Sequence, residues 1–194
     1  MKQLVLLSSL VLVTDGFGGS PDADEESEIL SLTEFVSHEN DSLDWRVVND
    51  GVMGGLSQGE LRFSESETLL FRGVLSLENQ GGFSMVETGP VVLNLEAAEG
   101  ILLRVRGDGR SYQMRLASDA RFRGNEVAFQ GEFQTADGVW TEVKVPFERF
   151  QGTYRGRSLP EAKLNPAAIQ RFAILLGDKT PGPFALEVDF IRAY

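Results

Sequence analysis

The chain of 194 residues is 42% hydrophobic and 24% charged, with a formal net charge of −11. It has no cysteine, which excludes disulfides, thiolate metal sites, iron–sulfur ligation and cysteine nucleophiles; its one histidine, His38, excludes a histidine-cluster metal site. The acidity is lopsided: residues 1–44 carry ten acidic side chains against Lys2 alone, whereas residues 45–194 carry 19 acids against 17 bases, so no broad nucleic-acid-binding surface is expected.

In chain order, "MKQLVLLSSLVLV" sets one lysine before the apolar stretch Leu4–Val13. That stretch is too short for a membrane-spanning helix and fits the core of a secretory signal peptide, here residues 1–20; the competing reading is a buried strand. Export follows if this segment is cleaved, and an intracellular location if it is not. Residues 21–29, with "PDADEESE", read as a solvated acidic linker, and residues 30–194 as a single domain. His38 lies in the polar run "SHENDS" and is expected in an exposed loop.

"DGVMGGLSQG", Asp50–Gly59, raises a phosphate cradle or a tight turn. A cradle needs a helix head, and the P-loop form a Gly-Lys-Ser/Thr ending. Here Leu56, Ser57 and Gln58 lead into the strand-like "ELRFS", so a turn is expected, with Gly51, Gly54 and Gly55 serving positive φ or close packing. "ELRFSESETLLFRGVLSLE" gives two strands around "SESE". Further short runs follow, bounded by Gly, Pro, Asn or Asp, as in an all-β protein. "ILLRVRGDGRSYQMRL" reads as a hairpin, with Ile101, Leu103, Val105, Tyr112, Met114 and Leu116 on one face and Arg104, Arg106, Gln113 and Arg115 on the other. With Arg110, Arg121 and Arg123 nearby, this reads as an arginine-rich face that binds carboxylates, phosphates or sugar hydroxyls, or is simply solvated. Phe150–Pro166 reads as a long loop whose Tyr154, Arg155 and Arg157 suit protein contacts. One helical turn is expected at Asn165–Gln170, with Asn165 as cap and Pro166 first. Asp178, before "KTPGP", is expected in a turn. About ten strands with one apolar face each predict a two-sheet jelly-roll β-sandwich.

Several segments in order resemble the complex I intermediate-associated protein 30 family: Trp45 with "RVVNDGVMGGLSQG", then "FRGVLSLENQGGFSMV", "RVRGDGRSYQMRL", "WTEVKVPFERFQGTYRGRSL" and the stretch from Ile169 to Tyr194. The resemblance covers roughly residues 30–194. It implies a galactose-binding-domain-like sandwich, similar in build to some carbohydrate-binding modules, and a chaperone-like job in protein assembly. The family offers no catalytic residues to carry over. Trp45, Asn49, Asp50, Gly51, Met53, Gly54, Gly55, Gly82, Phe83, Gly107, Asp108, Gly109 and Asp178 stand in the family-like segments as structural marks.

The carboxylates include Asp50, Asp178 and Glu187, but no motif singles out a glycosidase pair, and no D-x-D-x-D-G calcium loop is present. The expectation is a non-enzymatic domain that binds another protein, without cofactor, metal, nucleic acid or transmembrane segment. Its candidate contact residues are Arg104, Arg106, Arg115, Tyr154, Arg155 and Arg157. The alternative is a carbohydrate-binding module, which calls for open rings among Trp45, Trp140, Tyr112 and Tyr154.

Overall fold

A computed structural model describes residues 30–35 and 43–194. The signal-peptide and linker readings for residues 1–29 and the loop reading of His38 lie outside the described residues. Among those described, thirteen strands and four short 3-10 turns follow one another, with no α-helix. The strands are β1 (Leu30–Glu34), β2 (Arg46–Asn49), β3 (Gln58–Phe63), β4 (Leu69–Leu75), β5 (Ser84–Glu87), β6 (Gly100–Arg106) and β7 (Ser111–Phe122), then β8 (Asn125–Gln134), β9 (Trp140–Pro146), β10 (Gln151–Tyr154), β11 (Arg157–Ser158), β12 (Arg171–Leu176) and β13 (Gly182–Ala193).

They form two antiparallel sheets. The six-stranded sheet runs β3-β4-β13-β6-β9, and β1 takes over the side of β13 that β4 leaves at Val188. The seven-stranded sheet runs β11-β10-β8-β7-β12-β5-β2. Period-two alternation sends Leu69, Phe71, Leu75, Ile101, Leu103 and Val105 inward from the first sheet. Tyr112, Met114, Leu116, Phe129, Phe172 and Ile174 meet them from the second, all almost wholly buried. This is the expected jelly-roll sandwich, held by one continuous apolar core.

Local expectations divide. β3 and β4 form a hairpin around Ser64–Thr68, as the "SESE" punctuation predicts. Asn165 caps the turn Pro166–Ala168 by accepting from the Ala167 N–H at 3.2 Å. The hairpin expected across "GDG" does not form. β6 pairs with β13 and β9, whereas β7 pairs with β8 and β12, so Gly107–Arg110 crosses from one sheet to the other. The apolar faces of the two strands do meet, but across the core. Their polar faces therefore point in opposite directions, and the single arginine face is corrected to two. The Phe150–Pro166 stretch is also less loop-like than expected. It holds the β10–β11 hairpin, turned at Arg155 (φ 49°) and Gly156 (φ 75°).

Candidate functional site

The signature stretch departs from β2 as a 3-10 turn, Asp50–Met53, closed by Gly54 at φ 88°. That left-handed conformation suits glycine. Asp50 is wholly buried and accepts four hydrogen bonds. Its Oδ2 receives the Ser57 hydroxyl at 2.6 Å and the N–H groups of Gly82 at 2.7 Å and Phe83 at 3.2 Å; its Oδ1 receives the Ser57 N–H at 3.0 Å. Burial alone would raise the carboxyl pKa, but the combined hydrogen bonds outweigh it and hold the group below its ordinary range. The glycine loop thus does cradle an anion, and the anion is the chain's own carboxylate. A Cβ at Gly55 would overlap the Asp50 carboxyl carbon, whereas one at Gly51 would meet nothing within 4 Å. Gly51, which has no positive φ either, is the one glycine of the three that the turn does not require.

Asn49 extends the brace. Its Oδ1 accepts from the Gly59 N–H at 3.1 Å and the Ser84 hydroxyl at 2.6 Å, joining β3 of one sheet to β2 and β5 of the other. Trp45 is half-buried, its ring edge-on to Phe172 at 5.5 Å and tilted against Phe35 at 6.0 Å. The braced loop leaves Met53 61% and Leu56 51% exposed, beside Val74 at 52% and Leu77 at 41%.

At the other crossover, Arg110 grips the loop after β12. Its Nε and Nη2 donate to the two Asp178 oxygens at 3.0 and 2.6 Å, and it also donates to the carbonyls of Thr180 and Pro183. This fork raises the Arg110 pKa; Asp178 is desolvated, yet the same fork and the Thr180 N–H hold it low. Asp178 therefore has the expected turn role. Asp108 receives the Tyr112 hydroxyl at 3.1 Å and the Ala185 N–H at 2.8 Å. Burial, then the Asp108 charge, drives the Tyr112 phenol far above its ordinary pKa. Gly107 O accepts from the Gly138 N–H, and Gly109 O from the Gln134 side chain.

The candidate contact residues fall in three places. Arg104 and Arg106 lie on the outer face of the six-stranded sheet, paired with Asp189 and Glu187 and stacked over the Trp140 ring at 5.3 and 5.0 Å. Tyr154, Arg155 and Arg157 sit at the β10–β11 hairpin, with the Arg155 head over the Tyr154 ring at 5.4 Å and that ring tilted against Phe122. Arg115 points from the outer face of the seven-stranded sheet.

That last face carries a cleft of about 130 Å³ lined by Met85, Glu87, Arg115, Glu126 and Arg171, with Ala117, Ala128 and Ala173 as floor. Strand register explains it. One row across the sheet runs Gln151, Gln130, Arg115, Ala173, Glu87, Arg46; the next runs Thr153, Ala128, Ala117, Arg171. Three methyl side chains thus stand among long ones and leave a hollow. Glu87 is 7% exposed and is held by Arg46 at 2.5 Å and Arg171 at 3.7 Å; Arg171 also reaches Glu126 at 3.5 Å. Arg115 makes one long hydrogen bond, to the Thr153 hydroxyl at 3.4 Å. The Nε atoms of Arg115 and Arg171 are buried and unpaired. Desolvation lowers the Arg115 pKa against the pull of Glu87. Sequence reading missed Glu87, Glu126 and Arg171. The available signal was small outward residues in "LASDA", "EVAFQ" and "RFAILL".

Among the described residues no three His, Cys, Asp or Glu side chains gather to hold a metal ion, and no helix is long and apolar enough to cross a membrane.

The two-sheet antiparallel sandwich is a fold shared with solved carbohydrate-binding modules. The family 11 module of a Clostridium thermocellum cellulosomal cellulase superposes with a TM-score of 0.60 at 12% identity, over 85% of this chain and 93% of the module. A second structure of the Clostridium thermocellum family 11 module, in complex with a mixed-linked tetrasaccharide, gives 0.56 at 12% identity, over 81% of this chain and 92% of that one. At such identity the likeness is one of fold. The chain belongs to the complex I intermediate-associated protein 30 family, whose model matches residues 33–188. It is 32% identical over 176 residues to the mouse mitochondrial complex I intermediate-associated protein 30, covering 80% of this chain and 54% of the relative. The probable Caenorhabditis elegans counterpart, also named mitochondrial, is 27% identical over 201 residues, covering 88% and 59%. The chain thus spans little more than half the length of these relatives.

Proposed function

We propose that the chain is a non-enzymatic, chaperone-like domain of 30–194 that works inside the cell by binding another protein, an intermediate in respiratory complex I assembly. The relatives' names, which place them in mitochondria with a complex I intermediate, supply that context. The observation that carries protein binding is the signature loop, where Met53 and Leu56 stand exposed on a segment that Asp50 immobilises, with Val74 and Leu77 exposed in and just after β4. The Ser57 hydroxyl, donating to Asp50, accepts from the Ser76 N–H at 3.1 Å and so ties the loop to the end of β4, next to Leu77. Exposed apolar groups on a pre-organised surface favour a protein partner.

The carboxylates support a non-catalytic reading. Asp50 is saturated by its four donors, Asp178 by Arg110, and Glu187 by Arg106 and the Thr68 hydroxyl. The rings argue against a sugar platform. Tyr112 is buried, Trp45 packs on the core, Tyr154 leans on Phe122, and Trp140 is capped by two arginines. The outward side chains of the hollow's two rows are all non-aromatic, and Phe172, which also borders it, turns its ring into the core.

The test is affinity capture from the native cell with wild type and the double variant Met53→Asp, Leu56→Asp. Complex I subunits are expected with wild type and at least about tenfold less with the variant, as for loss of two central apolar contacts. Equal recovery by both, or no complex I subunit with either, sinks the reading.

A further inference from the structure

Arg115 is drawn into the sheet face with no carboxylate in salt-bridge range among the described residues, whereas Arg46, Arg104, Arg106, Arg110 and Arg171 each have one. A desolvated guanidinium is costly unless something pairs with it. Its neighbour across the sheet is Arg171. Arg115 stands opposite Ala173 and Arg171 opposite Ala117, so the two are diagonal neighbours, roughly 7–8 Å apart at the backbone. Both lean over the same alanine floor with an unused Nε–H. The Nε edge of a guanidinium is one of the two that grip a carboxylate with parallel hydrogen bonds.

Size and charge narrow the occupant. The hollow of about 130 Å³ is well below the roughly 300–1,000 Å³ of a small-molecule pocket. It has room for one side chain rather than a cofactor or an oligosaccharide. In the hollow Arg115 and Arg171 face Glu87 and Glu126; Arg46, outside its lining, also holds Glu87, so Arg115 is the cation left without a carboxylate in salt-bridge range. A monoanion balances it. A phosphate dianion would overshoot against two flanking carboxylates, and an amide would leave the guanidinium uncompensated.

We propose that this hollow receives an acidic side chain, Asp or Glu, of the protein partner, clamped between Arg115 and Arg171 over the floor of Ala117, Ala128 and Ala173. The proposal rests on the protein-binding reading above and names what the partner inserts. It sits on the seven-stranded sheet, apart from the apolar loop that carries that reading.

Two arms test it. In the first, the Nε–Hε resonances of Arg115 and Arg171 in wild-type protein are followed by NMR at low salt. The probes are a blocked tri-glutamate peptide, its tri-glutamine twin and inorganic phosphate. Saturable shifts of both resonances with the glutamate peptide, and neither with its twin nor with phosphate, are expected. No shift with glutamate, or equal shifts with glutamine or phosphate, overturns the proposal. In the second arm, Arg115→Gln and Arg115→Lys, each first shown to melt like wild type, are used to capture complex I subunits. Removing one partner of a desolvated charge pair weakens binding at least about 30-fold, so Arg115→Gln should lose the subunits and Arg115→Lys should keep part of them. Unchanged capture by Arg115→Gln overturns the proposal. If wild type itself captures none, the protein-binding reading fails, and the NMR arm still decides what the hollow accepts.

Discussion

Asp50→Asn isolates the brace under the signature loop. The substitution keeps shape and volume but leaves one carbonyl oxygen where two carboxylate oxygens accept four donors. If the carbonyl takes the place of Oδ2, it keeps Ser57 Oγ, Gly82 and Phe83, and the new NH₂ faces the Ser57 N–H, donor against donor. One buried donor is orphaned and three hydrogen bonds lose their charge assistance, a loss on the order of 3 kcal/mol. For a chain of this size that lowers Tm by roughly 6–12 °C, measured by calorimetry at pH 7. The pH profile supplies a second check. A folded pKa below the ordinary 3.8 means the carboxylate's stabilisation is fully present above that value and is lost as pH falls through the folded pKa. The Tm gap between wild type and Asp50→Asn should therefore be flat from neutral pH down to about 5 and shrink only below about pH 4. A gap under roughly 2 °C at pH 7, or one that closes near pH 6, refutes the account.

Two further predictions use neighbouring features. Gly55→Ala should destabilise by about 2–4 kcal/mol in urea unfolding, because its methyl overlaps a carboxylate pinned by four bonds, whereas Gly51→Ala, with open space and no positive φ, should be neutral or slightly stabilising; equal effects would show that the loop is not built around Asp50. Arg110→Lys keeps the charge but cannot span both Asp178 oxygens and the Thr180 and Pro183 carbonyls, so it should cost about 2–3 kcal/mol and speed amide exchange at Thr180, and wild-type melting would contradict the clasp.

The sequence made the strands legible because alternation reports which side chains are apolar on one side. It did so for β3 and β4, and again for Ile101, Leu103, Val105, Tyr112, Met114 and Leu116, all of which reach the core. Alternation does not report which sheet a strand joins. "GDG" satisfies the local rules of a hairpin, yet β6 is claimed by long-range pairing with β13 and β9 and β7 by β8 and β12. One wrong neighbour therefore placed Arg104, Arg106 and Arg115 on one face. It hid the distinction that matters, that Arg104 and Arg106 are paired and Arg115 is not. Asn165, a cap, and the Asx turn of Asp178 were legible because that work is local, whereas the fork of Asp178 with Arg110, 68 residues away, was not. Asp50 was not, because two of its four donors lie 32 and 33 residues away.

The braced loop and the hollow are connected along one edge of the sandwich. β2 is the edge strand of the seven-stranded sheet. At one end Arg46 holds Glu87 beside the hollow; at the other Asn49 opens the signature loop. Three residue steps of about 3.4 Å separate those ends, roughly 10 Å. Arg115 lies three strands further in, about 14 Å at about 4.8 Å per strand, still within a protein footprint of about 800 Å², so a partner that wraps the β2 edge can cover Met53, Leu56 and the hollow together. The two contacts then divide the work in the usual way. The apolar loop supplies desolvated area, and the guanidinium hollow fixes register by admitting a carboxylate and rejecting an amide. Combining Met53→Asp with Arg115→Gln should therefore weaken capture by about the product of the separate losses if the contacts act independently, and by less if one partner element bridges both.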